Sequence, residues 1–183
     1  MNTPRPRKTL MIVEDDVLVA TTLKSELEDG GYSVLTLTDC IAEALEVAKE
    51  SQPDLALVNI HLVGGDDGIE LAQHLKALNI PVLLISGQVS RARSASTVAI
   101  ASLPKPYDAA DMVLAVTYLL ARLRGGATTP RPSALEVFDE DGFGLAPAAQ
   151  DRAGGSRRLK GTGAPGSAAS GTTQGGFTTG PFR

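Results

Sequence analysis

The chain has 183 residues, with 17 Lys/Arg against 21 Asp/Glu and a net charge of −4 at pH 7. That length suits one domain with a proper core plus a tail, and the mild acidity argues against non-specific nucleic-acid binding, which requires a basic face. A single cysteine, Cys40, excludes an intramolecular disulfide and fits a reducing compartment, so a cytoplasmic location is expected.

Arg5, Arg7 and Lys8 precede an apolar run, Leu10-Met11-Ile12-Val13, which Glu14-Asp15-Asp16 cut off too early for a signal peptide or a membrane span. The run reads as a parallel strand buried on both faces, and carboxylates at such a strand's end lie where open α/β sheets bind ligands. Three adjacent acids repel one another, so at least one is expected to hold a cation or to cap the next helix; the plain alternative is an ordinary helix start with Asp16 as cap. Val19, Leu23 and Leu27 mark a first helix that stops at Gly30-Gly31. Residues 32–37 predict a second strand, and Asp39 is placed to cap a helix carrying Ile41, Ala44, Leu45 and Ala48, closed by Pro53.

Residues 54–59 give a third apolar strand ending at Asn59, followed by a loop from His61 to Gly68 that is rich in turn formers. A helix with Leu71, Ala72, Leu75 and Leu78 leads to Pro81 and a fourth strand over 82–85, which stops at Ser86-Gly87. Between Gln88 and Thr97 apolar residues are sparse, so any helix there is short. Residues 98–103 predict a fifth strand ending in Pro104-Lys105-Pro106, and Asp108 is placed to cap a last helix with Met112, Val116, Leu119 and Leu123. Five β-α units in alternation imply a doubly wound α/β fold around a five-stranded parallel sheet.

From Gly125 the composition turns to Gly, Ala, Ser, Thr and Pro, and the expected division is a disordered 1–7, a folded 8–124 and a disordered tail over 125–183. All four phenylalanines lie in that tail, and residues 134–143 mix acids with apolar side chains, which reads as a chance cluster rather than a docking motif. Nothing in the tail resembles a helix-turn-helix, a set of zinc ligands or a catalytic cluster.

The polar residues at the strand ends, Glu14 and Asp15, Asn59, Ser86 and Lys105, converge on one edge of the sheet. Two carboxylates, a hydroxyl and an ammonium in one crevice suit the handling of a phosphoryl group, with Mg²⁺ favoured over zinc because the donors are oxygens. His61 and His74 lack metal-ligand spacing, and Asp66 and Asp67 read as turn and helix N-terminal residues.

The order Ile-Val-Glu-Asp-Asp, Pro-Asp-Leu-Ala-Leu-Val-Asn, Ile-Ser-Gly and Pro-Lys-Pro resembles the receiver domain of two-component response regulators over roughly residues 8–124. The resemblance implies a flavodoxin-like sheet in order 2-1-3-4-5 and Mg²⁺ held by Glu14, Asp15 and the backbone carbonyl of His61. It makes position 59 the phospho-acceptor and gives phosphate sensing to Ser86, Lys105 and Pro106. Two residues depart from the pattern. Asn59 stands where the family has an aspartate, and a carboxamide is too weak a nucleophile to form an acyl phosphate. Ser102 stands where the family usually has the Tyr or Phe that reports phosphorylation.

The expected function is a single-domain, non-enzymatic receiver in a phosphorelay that works by protein binding independently of phosphorylation, with weakened Mg²⁺ affinity. Alternatives are an engineered or variant Asp-to-Asn form of an ordinary receiver, and a scaffold working through its tail. Partners implied are a sensor histidine kinase, a phosphotransfer protein or a downstream regulator, with no direct nucleic-acid or membrane contact, and a homodimer through the last strand and helix. A phosphatase or flavin binder on the same fold is disfavoured, because Glu14-Asp15-Asp16-Val17 supplies neither an Asp-x-Asp nucleophile nor a phosphate-binding loop.

Overall fold

A computed structural model of the chain describes residues 6–126 and 129–138. In chain order it contains β1 (Thr9–Val13), α1 (Val17–Asp29), β2 (Ser33–Thr38), α2 (Ile41–Ser51), β3 (Leu55–Asn59), a 3-10 turn (Val63–Gly65), α3 (Gly68–Ala77) and β4 (Val82–Ser86). These are followed by α4 (Val89–Ser94), β5 (Ala101–Pro104), α5 (Ala109–Leu123) and β6 (Glu136–Val137). The sheet order is β2-β1-β3-β4-β5-β6, parallel throughout except for β6, which runs antiparallel to β5.

The central strands are apolar along their middles, with polar residues only at their ends (Thr9, Asn59 and Ser86), because each has a layer of helices on both sides. Leu10, Ile12, Leu55, Leu57, Leu83 and Ile85 face α1 and α5, where they meet Leu23, Leu27, Met112, Val116 and Leu119. Their alternates Met11, Val13, Ala56, Val58, Val82 and Leu84 face α2, α3 and α4 through Ala44, Ala48, Leu71, Leu75 and Ala92. Each such Val, Leu or Ile contributes about 1.5–3 kcal/mol of apolar burial, so the core fixes the register of the strands, and with it where their last residues emerge.

The start of α1 follows the expectation for Asp16, whose carboxylate accepts from the amides of Leu18 (2.9 Å) and Val19 (3.1 Å). Elsewhere the local chemistry differs from the sequence reading. Asp39 does not cap α2; Cys40 is the N-cap residue, and Thr38 organises the turn by accepting from Cys40 N–H (3.1 Å) and donating to Glu43 (2.8 Å). Asp108 sits at the N-cap of α5 but makes no side-chain capping bond. The fifth strand begins at Ala101 rather than at 98, because the amides of Val98 and Ala99 turn back to the Ala95 carbonyl (2.9 and 3.1 Å) and extend the turn that follows the six-residue α4.

The sheet has six strands, not five, and the reading of the chain from 125 onward as disordered is corrected over residues 129–138. Ala101 pairs with Val137 and Ser102 with Glu136, while Phe138 N–H donates to Ile100 O (3.0 Å). Leu135 is 2% exposed within the α1/α5 cluster, Val137 packs beside it, and Phe138 packs on the opposite cluster. Residues 135–138 therefore have an apolar reason to be ordered. Gly125 and Gly126 close the end of α5, their amides donating to Arg122 O (2.9 Å) and Ala121 O (3.0 Å), and the rest of the predicted tail, including Phe143, Phe177 and Phe182, lies outside the described residues, as do the first five residues.

Candidate functional site

Parallel β1 and β3 are adjacent and in register, with Val13 opposite Val58, so Glu14 and Asp15 emerge next to Asn59. β4 follows on the other side of β3, with Asn59 opposite Ile85, and β5 follows β4, with Ser86 opposite Pro104. The topology thus collects Glu14, Asp15, Asn59, Ser86 and Lys105 at one edge from residues far apart in sequence, as the strand ends predicted.

Asn59 is the centre of the hydrogen-bonding. Its Nδ2 amino group donates to Glu14 Oε1 and to Asp15 Oδ1, each at 2.9 Å. Lys105 Nζ donates to Glu14 Oε2 at 2.9 Å, and the Asp16 amide donates to Glu14 Oε1 at 3.3 Å. Glu14 therefore has both oxygens engaged, which its burial requires: its side chain is 1% exposed, and a carboxylate at that depth is costly unless paired. Burial raises the pKa of Asp15, but the Glu14 side chain, its own backbone amide, Asn59 and the Lys105 charge outweigh this and hold it below the ordinary 3.8.

Ser86, 2% exposed, is turned to its own loop: Oγ accepts from Gln88 N–H (2.9 Å) and donates to Gln88 O (3.3 Å). Lys105 is fixed through its backbone, its N–H donating to Ser86 O (2.9 Å) and its peptide bond to Pro106 being cis. His61 does not bring its ring to the acids. It bridges to Asp67 by backbone, and its Nε2 lies 3.2 Å from Arg91. Asp67 caps α3 by accepting from Ile69 N–H (2.9 Å) and pairs with Arg91 (2.8 Å), while Asp66 accepts from the Ile41 amide (3.5 Å), so neither replaces a ligand at position 59.

Two residues belong to this neighbourhood that the sequence reading did not single out. Gly68 packs on the end of β3 so closely that a Cβ there would lie 2.1 Å from the Asn59 carbonyl oxygen, and its amide donates to Ile60 O (3.0 Å). Only glycine allows the α3 start to seat there. Tyr107, two residues past Lys105, has a buried hydroxyl without a hydrogen-bond partner, and burial together with the Glu14 charge pushes its pKa up to about 12. An aromatic beside the Pro-Lys-Pro turn was the available signal for it.

Among the described residues, no group of three or more His, Cys, Asp or Glu is assembled to hold a metal, because the third position between the two acids is a carboxamide. As oriented, that carboxamide presents its N–H donors, not its carbonyl, to Glu14 and Asp15. A divalent oxygen-seeking cation would have to displace those donors and compete with Lys105 for Glu14, so the donor set fits Mg²⁺ weakly. Among the described residues, no helix is long and apolar enough to cross a membrane.

A family model of the response regulator receiver domain matches residues 10–117. The chain is 30% identical over 125 residues to the transcriptional regulatory protein PdtaR of Mycobacterium tuberculosis, covering 65% of this chain and 59% of that protein. It is 31% identical over 142 residues to the transcriptional regulatory protein PrrA of the same organism, covering 75% of this chain and 60% of PrrA, so it spans about three-fifths of the length of either relative. Among solved structures, the signal receiver domain of a modulated diguanylate cyclase from Desulfovibrio desulfuricans G20 superposes with a TM-score of 0.58 at 36% identity, covering 64% of this chain and 96% of that one. A response regulator from Chloroflexus aurantiacus J-10-fl does so with a TM-score of 0.57 at 32% identity, covering 64% of this chain and all of its own.

Proposed function

The chain belongs to the response regulator receiver family of two-component systems, and from that premise we propose that it takes no phosphoryl group at Asn59 and signals by binding other proteins. Receiver domains are generally non-enzymatic modules that interact with histidine kinases or phosphotransfer proteins and with downstream effectors. The observation that carries the reading is the Asn59 amino group bonded to both Glu14 and Asp15. It removes the nucleophile and also supplies the donors that hold two carboxylates together without a cation.

Receiver domains typically bind Mg²⁺ at this acidic site. Here Glu14, Asp15 and the His61 backbone carbonyl would hold the ion, with affinity lowered by loss of the third carboxylate. Ser86, Lys105 and Pro106 keep the positions of the phosphate-sensing set, with Lys105 committed to Glu14. Binding to a kinase, a phosphotransfer protein or a downstream regulator is supported by Val17 and Leu18, 78% and 77% exposed at the start of α1 beside a groove lined by Thr22, Pro106 and Tyr107. An almost complete site lacking its nucleophile suits a protein that competes with, or titrates, a phosphorylatable receiver.

The test is Mg²⁺-dependent uptake of phosphate from acetyl phosphate, read by mass on the chain and on Asn59→Asp in parallel. The reading expects an acid-labile phosphate on Asn59→Asp alone. Uptake by both proteins would sink it, because another residue would then be the acceptor.

A further inference from the structure

The last strand and helix are the face expected to serve a homodimer, and the free edge of that strand is covered by the chain's own residues 129–138. We propose that this segment is a strap that blocks self-association: seated, it holds the chain as a single copy, and released, it frees the β5 edge to pair with the β5 edge of a second copy. This goes beyond the binding function above and does not depend on the chemistry of Asn59.

Direction is the first argument. The strap runs antiparallel to β5, with Ala101 opposite Val137 and Ser102 opposite Glu136. A two-fold axis that joins identical edge strands also makes an antiparallel pair, so the strap occupies the slot, in the same orientation, that a second copy's β5 would fill. Without it, the main-chain donors and acceptors on that side of β5 have no partner in their own sheet.

Attachment is the second. The strap has a two-residue ladder extended by the Phe138 amide, Leu135 as its most deeply buried side chain with Val137 and Phe138 only partly buried beside the core, and an ion pair from Arg93 Nε on α4 to Glu136 Oε1 (2.7 Å). Arg93 is 65% exposed, so that pair orients more than it stabilises. A ladder this short is a closure that can open while the five-stranded core stays folded.

The third argument is a solvent-open cleft of about 320 Å³ between the strap and the core. Its core side includes Ser86, Val89 and Ser102, and its strap side Ser133 and Leu135. Ser102 fills little of the space an aromatic at that position would take, which leaves the strap spanning a gap. Ser86 lines the same gap, so the strap touches the same void as the loop at the candidate site.

Sedimentation velocity on the full chain at tens of micromolar, with hydrogen exchange of residues 100–103 and 136–138, tests the proposal. The full chain is expected to sediment with the mass of one copy and to show slowed exchange at 136–138. Leu135→Asp is expected to lose that protection and to sediment with the mass of two copies. Glu136→Arg, which reverses a surface charge and leaves the core untouched, is expected to shift the same way in smaller proportion and to return to one copy when combined with Arg93→Glu. Should Leu135→Asp fail to fold, judged by its circular dichroism, the charge-reversal pair decides the matter. A full chain already dimeric with its strap protected overturns the proposal. So does a variant whose strap exchanges freely while it remains a single copy.

Discussion

The strand-end cluster around Asn59 and the strap on β5 are two edges of one sheet held by opposite means. At the cluster, Glu14 has a side chain 1% exposed and is satisfied by an ammonium, a carboxamide and a backbone amide, all within 3.3 Å. At the strap, order rests on Leu135, the partly buried Val137 and Phe138, a two-residue ladder and an ion pair whose arginine is mostly in water. Removing one partner of a buried charge leaves the other without water or counter-charge, whereas removing part of a peripheral contact lets the segment detach. On the readings proposed above, the site stays fixed and the strap is the part that changes state, the reverse of a receiver in which the acidic site is where the state is set.

The hardest blow to that contrast is Lys105→Met. It leaves the buried Glu14 carboxylate without its ammonium partner, and chemical denaturation is expected to show a loss of about 3–5 kcal/mol; a loss no larger than a surface mutation gives would mean that the Lys105 pair is not what holds this edge fixed. Asn59→Asp comes next. It sets a third carboxylate between two others, and in chelator the protein should lose about 1–3 kcal/mol, recovered on adding millimolar Mg²⁺, while the unchanged chain gains little from the ion. A melting temperature equally indifferent to Mg²⁺ in both proteins would break the view of Asn59 as a neutral replacement for a cation-demanding carboxylate.

On the strap side, Leu135→Ala should cost about 1–2 kcal/mol at most, because detachment limits the loss to what docking contributes. Exchange at 136–138 should accelerate while the β1 and β3 amides keep their protection; a uniform rise across the sheet would make the strap part of the core.

Two pH effects are smaller and of opposite direction. The pKa of Asp15 lies lower in the folded chain than its ordinary 3.8, so its contribution is complete above that value and is lost as pH falls below it through the folded pKa. Asp15→Asn should flatten that part of an acid titration of stability. Tyr107 is raised from 10.0 to about 12, so its neutral form favours the fold, fully below pH 10 and with a loss between pH 10 and 12. Tyr107→Phe should abolish that alkaline loss and, by removing an unpartnered buried hydroxyl, leave stability near neutral pH equal or up to about 1 kcal/mol higher.

The same contrast separates what was legible in the sequence from what was not. β1, β3 and β4 could be read because strands covered on both faces must be apolar between their ends, and the cluster followed once those ends were located. The shift of β5 to Ala101 was hidden, because residues 98–100 are apolar in either a strand or a buried turn. Cys40 rather than Asp39 at the start of α2 reflects a competition that Thr38 wins through a contact to Glu43, which spacing alone does not rank. Two residues are too few to show the alternation that marks a strand, so β6 leaves only a compositional trace, Leu135, Val137 and Phe138 among acids, which composition alone does not separate from chance. Gly68 read as one more turn former, although its role is a close approach that only packing reveals.

That approach has a further consequence. The backbone at position 59 is pinned from behind by the start of α3, independently of the side chain it carries. Asparagine and aspartate have the same shape, so exchanging them changes one atom's chemistry without rerouting the loop. On the proposed reading, chromosomal copies differing only at codon 59 would give a cell two versions of the protein with the same backbone at the site, one fixed and one open to input, so that at millimolar Mg²⁺, where their stabilities converge, a difference in behaviour between the strains would report on that input.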